Sequence, residues 1–235
     1  MNIHIIFKDS LIEKNFKNLV FESIRIEIFS IFKEYRDIAI LNIPLEFFTQ
    51  VKKLVYSLGL EMSTIKYCKE LVDKLVLLEI FKPSISIVVA RNFLTILKLF
   101  NLCKPIPDYR KIFLMMGYPK CCCNSLCSRI ERGEIFPLKE LYYNKKNINP
   151  ILNIIYKPIG IYIIPFIPCS LNCREAIRES KKYLFITFLK DELLSILSLP
   201  FKITSFKNEL IIENSLFTCF IKGIKLNSEY SININ

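Results

Sequence analysis

Gly117-Tyr118-Pro119-Lys120-Cys121-Cys122-Cys123, with Cys127 just beyond it, and Pro168-Cys169-Ser170-Leu171-Asn172-Cys173 are the two stretches around which the rest of this sequence arranges itself. Each is a proline-containing turn that runs into cysteines, and the pattern predicts that those cysteines occupy the first turn of a helix. The position has a physical consequence. Free backbone N–H groups and the positive end of the helix dipole favour a thiolate, the nucleophilic and metal-binding form of cysteine. Lys120 and Arg174 stand beside the two stretches and should act in the same sense.

Working outward, Ile112 to Met116 leads into the first stretch, and Gly133 is placed to end the cysteine-rich helix. A polar, Asn- and Lys-rich connection follows over 140–157. Gly160 to Phe166 reads as a strand from its Ile, Tyr and Phe content, placed at an edge or ended early by Pro165. Asn172 to Leu184 and Asp191 to Leu197 read as helices. Phe201 to Phe206, Leu210 to Glu213 and Phe217 to Ile221 read as strands of a meander.

Upstream, the first 115 residues read as mainly helical after a short strand at Ile3 to Phe7. Helical spacing is visible in Glu22 to Tyr35, Pro44 to Leu58 and Tyr67 to Phe81. Ile85 to Phe100 is ambiguous, because its β-branched start suits a strand and its length suits a buried helix. Asn101 to Arg110, with Pro105 and Pro107, reads as a loop and as the best internal boundary. The expectation is an α+β protein: a helix-rich region over 1–107, packed on a cysteine-bearing α/β core over 108–235 with a small mixed or antiparallel sheet.

The chain of 235 residues is 52% hydrophobic with a mean hydropathy of +0.34, which excludes disorder as its main state. A spanning helix needs roughly 20 apolar residues. The best stretch, Pro158 to Leu171, is shorter than that and carries three prolines. Lys8, Asp9, Glu13 and Lys14 interrupt the N-terminus before a signal-peptide core can form. The expected setting is therefore cytoplasmic, without a membrane partner. A net charge of +11 raises nucleic acid as a partner, but the lysines are scattered and often sit beside a carboxylate, so a solvated face with an A·T-rich codon bias is the simpler account.

Nine cysteines without a secretion signal point to buried thiols, metal ligands or redox groups. Cys68, Cys103 and Cys219 are isolated in apolar stretches and read as small core residues. His4 is the only histidine, which makes a Ser/His or Cys/His hydrolase an unpromising class, and no phosphate-binding glycine loop or H-E-x-x-H run is present.

The two cysteine stretches resemble an uncharacterised, largely archaeal family of unknown function, which carries a Gly-Tyr-Pro-x-Cys-Cys segment and a later Pro-Cys-x-x-x-Cys segment. The resemblance covers about residues 110 to 190 and rests on Gly117, Tyr118, Pro119, Cys121, Cys122, Pro168, Cys169 and Cys173. That family usually has a histidine where Phe166 stands here, so a ligand or base at that position has no counterpart in this chain.

Three chemistries fit the residues themselves. The first is a metal site, zinc or an iron–sulfur cluster, on Cys121, Cys122, Cys169 and Cys173, since thiolate-only ligation suits both. The spacing is not that of a common zinc knuckle or ferredoxin, and adjacent cysteines on one ion imply strain, so Cys123 or Cys127 are substitute ligands. The second is thiol redox or sulfur relay, with a disulfide between the two stretches. The third is simple burial.

Overall fold

The computed structural model describes residues 2–65, 83–104, 106–132, 141–142, 148–206, 209–222 and 230–234. The protein is α+β, with two antiparallel sheets and a long helix that contacts both. Strand β1 (Asn2–Phe7) leads into helix α1 (Ser10–Phe32), whose start is capped by Asp9: its carboxylate accepts from the N–H groups of Leu11 and Ile12 at 2.8 and 3.1 Å. Polar Lys14, Lys17 and Asn18 face outward on the first turns of α1, which is why helical periodicity in the sequence showed only from Glu22 onward. From Leu19 to Ile31 the helix is buried on nearly every side, as expected of one enclosed by other elements.

The second sheet is the main departure from the expected N-terminal region. That region is helix-rich, but it also contains β2 (Ile38–Pro44), β3 (Glu61–Thr64) and β4 (Ser84–Ala90), in the order β2-β4-β3. β2 pairs with β4 along its whole length, from Ile38 opposite Ala90 to Pro44 opposite Ser84. Helix α2 (Leu45–Ser57) follows β2 directly and matches the spacing that announced it. The ambiguous stretch 85–100 is both things in turn. Its β-branched half is the central strand β4, and its second half is α3 (Phe93–Leu102), separated by Asn92, whose side chain accepts from the Thr95 N–H at 2.9 Å. The expected loop over 101–110 is shorter than predicted, because α3 runs to Leu102 and α4 (Tyr109–Met115) begins beyond the Asp108 cap. The helix expected over 67–81, the Gly133 cap and Cys68 lie outside the described residues.

Downstream come α5 (Lys120–Glu131), α6 (Arg174–Phe185) and α7 (Lys190–Leu197), then β5 (Phe201–Phe206), β6 (Glu209–Glu213), β7 (Phe217–Lys222) and β8 (Tyr230–Ile234). β5, β6 and β7 form the expected meander. β1 pairs with β7 and β8 with β5, giving the order β1-β7-β6-β5-β8 and tying the start of the chain to its C-terminal sheet. β5 alternates buried and outward-facing residues, the period-2 pattern of a sheet with one covered face. Among the described residues no helix is long and apolar enough to cross a membrane.

Gly160 to Phe166 is not a strand. Ile161, Ile163, Ile164 and Phe166 are fully buried against the core, while the Ile161 N–H bonds the Tyr156 carbonyl at 3.1 Å and the backbone of Tyr162 and Pro165 finds side-chain partners instead of a neighbouring strand. Ser23 on α1 accepts from the Tyr162 N–H at 3.1 Å and donates to the Tyr162 carbonyl at 2.9 Å. Lys157 donates to the Pro165 carbonyl at 2.6 Å. Apolar content identified a buried segment correctly; ladder pairing was the wrong inference, since Ser23 and Lys157 take the backbone groups of Tyr162 and the Pro165 carbonyl.

Lys157 also lies 4.7 Å from the centre of the Tyr162 ring. Burial lowers its ammonium to about 8, against a raising effect from Glu27. The unfolded chain therefore holds the proton over a range, from about pH 8 to 10.5, where the folded chain has lost it. The burial cost is present in full below pH 8 and is relieved as pH rises. Wild type should accordingly gain stability relative to Lys157→Met by up to about 1.4 kcal/mol per pH unit between pH 8 and 10. Denaturant titrations at several pH values check this, and parallel profiles for the two proteins would refute it.

Candidate metal centre

The Gly-Tyr-Pro turn is a helix cap. α4 ends at Met115, and Gly117 follows with φ at +78°. The Gly117 N–H bonds the Leu114 carbonyl and the Tyr118 N–H bonds the Phe113 carbonyl, both at 3.0 Å, a left-handed cap that satisfies the free carbonyls of the helix end. A Cβ at Gly117 would stand 2.9 Å from the Arg36 Cβ and 3.2 Å from the Tyr35 carbonyl. Pro119 then opens α5, whose Lys120 and Cys121 begin the first turn without a side-chain cap. Gly117→Ala combines a positive φ with a backbone clash. It should destabilise the protein by about 1–3 kcal/mol, measured by urea unfolding, and a change within 0.5 kcal/mol would show that the cap relaxes freely.

The second stretch differs from expectation in one respect. Pro168 to Asn172 is a loop, so Cys169 precedes the helix, and Cys173 is the N-cap of α6 rather than a first-turn residue. Its sulfur accepts the Ala176 N–H at 3.4 Å, doing with sulfur what a serine oxygen does at most caps.

An aromatic chain holds the two stretches together. Tyr118 packs on Phe113 with ring centres 5.1 Å apart and on Phe166 at 5.7 Å, and Phe166 meets Tyr183 of α6 at 6.2 Å. Phe166 is therefore a buried packing residue.

The result is a compact group of thiols. The sulfurs of Cys121, Cys122, Cys169 and Cys173 all lie within 4.8 Å of one another, at metal-binding distance. Cys121 and Cys173 stand 3.6 Å apart; Cys122 is 3.9 Å from each of them. No disulfide joins them, since an S–S bond measures about 2.05 Å. The adjacency of Cys121 and Cys122 is no obstacle: the first turn of α5 brings both sulfurs to the group. Cys123 and Cys127 do not join it. Cys123 turns toward α4, where its thiol faces the Arg110 carbonyl at 3.5 Å, and Cys127 lines a shallow groove with Asp108, Arg110 and Glu131. Cys103 and Cys219 are buried elsewhere, and His4 is exposed on β1 opposite Phe220.

Backbone amides address two of the sulfurs. The Cys169 N–H points at the Cys122 sulfur at 3.3 Å, and the Ala176 N–H serves Cys173. These donors had no signature in the spacing of the cysteines, because they depend on how the loop at 168–172 folds over α5. Burial pushes the Cys122 thiol far up, against the lowering effect of the Cys169 amide. Cys169 is pushed up to about 11, by burial and then by the Cys173 side chain. At Cys173 burial also opposes ionisation, but the Ala176 N–H and the hydrogen bonds from Cys169, Cys121 and Cys122 outweigh it, and the thiol lies below its ordinary range. One thiolate thus forms readily. Each further proton must leave against the negative charge already there, a cost that a divalent cation removes.

No family model, curated protein or solved structure matches this chain.

Proposed function

We propose that the protein holds a single tetrahedral metal ion, zinc before iron, on Cys121, Cys122, Cys169 and Cys173. The observation that carries this reading is the separation of the sulfurs. Four thiolates on one ion, each at about 2.3 Å, stand about 3.8 Å apart. Three of the pairs here measure 3.6, 3.9 and 3.9 Å, and all four sulfurs lie within 4.8 Å of one another. A four-iron cluster with one thiolate per iron spreads its sulfurs to about 6 Å, beyond the 4.8 Å that contains all four here.

Four thiolates leave no open position on a tetrahedral ion, so its role is structural. It ties the start of α5 to the start of α6 across a long stretch of chain, and the amide donors to Cys122 and Cys173 are the outer interactions that steady anionic sulfur ligands. The cytoplasm, where thiols stay reduced, is the compartment that suits such a site.

Protein purified anaerobically should contain close to one zinc or iron per chain by elemental analysis. Absorbance separates the outcomes: zinc leaves the visible spectrum empty, whereas an iron–sulfur cluster gives a broad band near about 400 nm. Fully folded protein free of metal, and unable to take up zinc, would refute the reading.

A further inference from the structure

The four sulfurs are not equivalent, and the difference points to a chemical event at the site. Cys122 is buried, Cys169 and Cys173 are half-buried, and Cys121 is exposed. We infer that Cys121 is an oxidation site at which a hydroperoxide forms a Cys121–Cys173 disulfide and expels the bound ion. The inference rests on the metal reading above.

A small oxidant arriving from solvent meets Cys121 first. The Cys173 sulfur stands 3.6 Å from it, closer than that of Cys122 at 3.9 Å. Closing that gap to a bond of about 2.05 Å needs a movement of about 1.5 Å shared between two side chains, one on the open first turn of α5 and one at the cap of α6. The two cross-stretch pairs that begin at Cys122 are worse placed to start. Cys122 is shielded from solvent, and its sulfur is engaged by the Cys169 amide.

The step balances with the hydroperoxide as the only oxidant. The Cys121 thiolate attacks the terminal peroxide oxygen; the O–O bond breaks, a sulfenic acid forms, and hydroxide or alkoxide leaves. The Cys173 thiolate then attacks the Cys121 sulfur, the S–O bond breaks, and a second hydroxide leaves. Two thiolates have lost two electrons, the peroxide has gained them, and solvent protons convert the leaving groups to water or alcohol. Cys122 and Cys169 alone cannot complete a tetrahedral shell, so the ion departs. The disulfide joins the same two helix starts that the ion joined, so the oxidised chain keeps that link. The buried thiols of Cys103 and Cys219 lack such access.

The test uses the full chain, purified without oxygen and loaded with zinc. Hydrogen peroxide is added in steps while released zinc is read with a colorimetric chelator, and differential alkylation with tandem mass spectra assigns each cysteine. The expected result is one Cys121–Cys173 disulfide per zinc released, reversed by dithiothreitol with recovery of zinc binding. Cys121→His preserves a ligand that peroxide does not convert to a disulfide. Loaded at saturating zinc, which it holds more weakly than wild type, this variant should slow the peroxide-driven release by at least about tenfold. A first disulfide between Cys122 and Cys169, zinc loss without any disulfide, or release from Cys121→His at the wild-type rate would each overturn the inference. Protein that binds no zinc overturns the metal reading instead, and the order of disulfide formation on its free thiols still decides whether Cys121 is the oxidation site.

Discussion

Glu27→Gln should lower the free energy of unfolding by about 3–5 kcal/mol, a large part of the roughly 5–15 kcal/mol available to a domain. Glu27 on α1 is the charge partner of Arg36. The Arg36 Nη2 donates to the Glu27 carboxylate at 2.8 Å and to its backbone carbonyl at 2.9 Å, and the Tyr162 hydroxyl donates to the other carboxylate oxygen. The side chain of Arg36 has no exposed surface and that of Glu27 retains 6%. Among the described residues the Nε and Nη1 of Arg36 find no hydrogen-bond partner, and Glu27 is the carboxylate paired with the guanidinium. Without its charge, a buried cation is left uncompensated beside the capping turn at Gly117. The loss should be mostly recovered in Glu27→Gln/Arg36→Met, because removing both charges also removes the burial cost. Urea unfolding of the three proteins checks both statements. A loss below 1 kcal/mol for the single variant would mean that water reaches Arg36.

Metal removal is the second large effect. A strong chelator should lower the thermal midpoint of the zinc-loaded protein by many degrees, since an ion that binds only the folded chain adds its binding free energy to stability. Cys122→Ser should weaken zinc binding by more than the 10–100-fold, about, that loss of an outer-sphere partner costs. Calorimetry with and without chelator, and competition against a zinc indicator, read these directly. Binding should also tighten as pH rises through neutrality. Burial raises the thiols of Cys122 and Cys169, so both enter as neutral groups and must release protons to the solvent when the ion arrives. An affinity indifferent to pH between 6 and 8 would contradict that picture.

Much of the fold was legible because it obeys simple periods. α2 shows its apolar face every third or fourth residue, and β5 to β7 alternate between covered and open faces. β2 and β4 were harder for a physical reason. Ile38 to Leu41 and Ile87 to Ala90 are continuous buried runs, and a run buried on all sides carries no period to distinguish strand from helix. The segment at 160–166 failed in the opposite direction. Its composition is that of a strand, but Ser23, distant in sequence, takes the hydrogen bonds that a strand would need.

At the candidate site the sequence by itself determined the ingredients: two proline turns, a glycine that tolerates a positive φ, and cysteines at helix starts. Those follow from local sterics and helix-end chemistry, which a few neighbouring residues settle. Which cysteines meet was decided only by tertiary structure. Successive residues on a helix diverge by about 100°, so Cys121, Cys122 and Cys123 fan over about 200° and do not all turn to one site. Spacing alone cannot say which of them face the 168–173 loop and which faces α4. The aromatic contacts of Tyr118, Phe166 and Tyr183 set that rotation. They bring Cys121 and Cys122 to Cys169 and Cys173 and turn Cys123 toward Arg110.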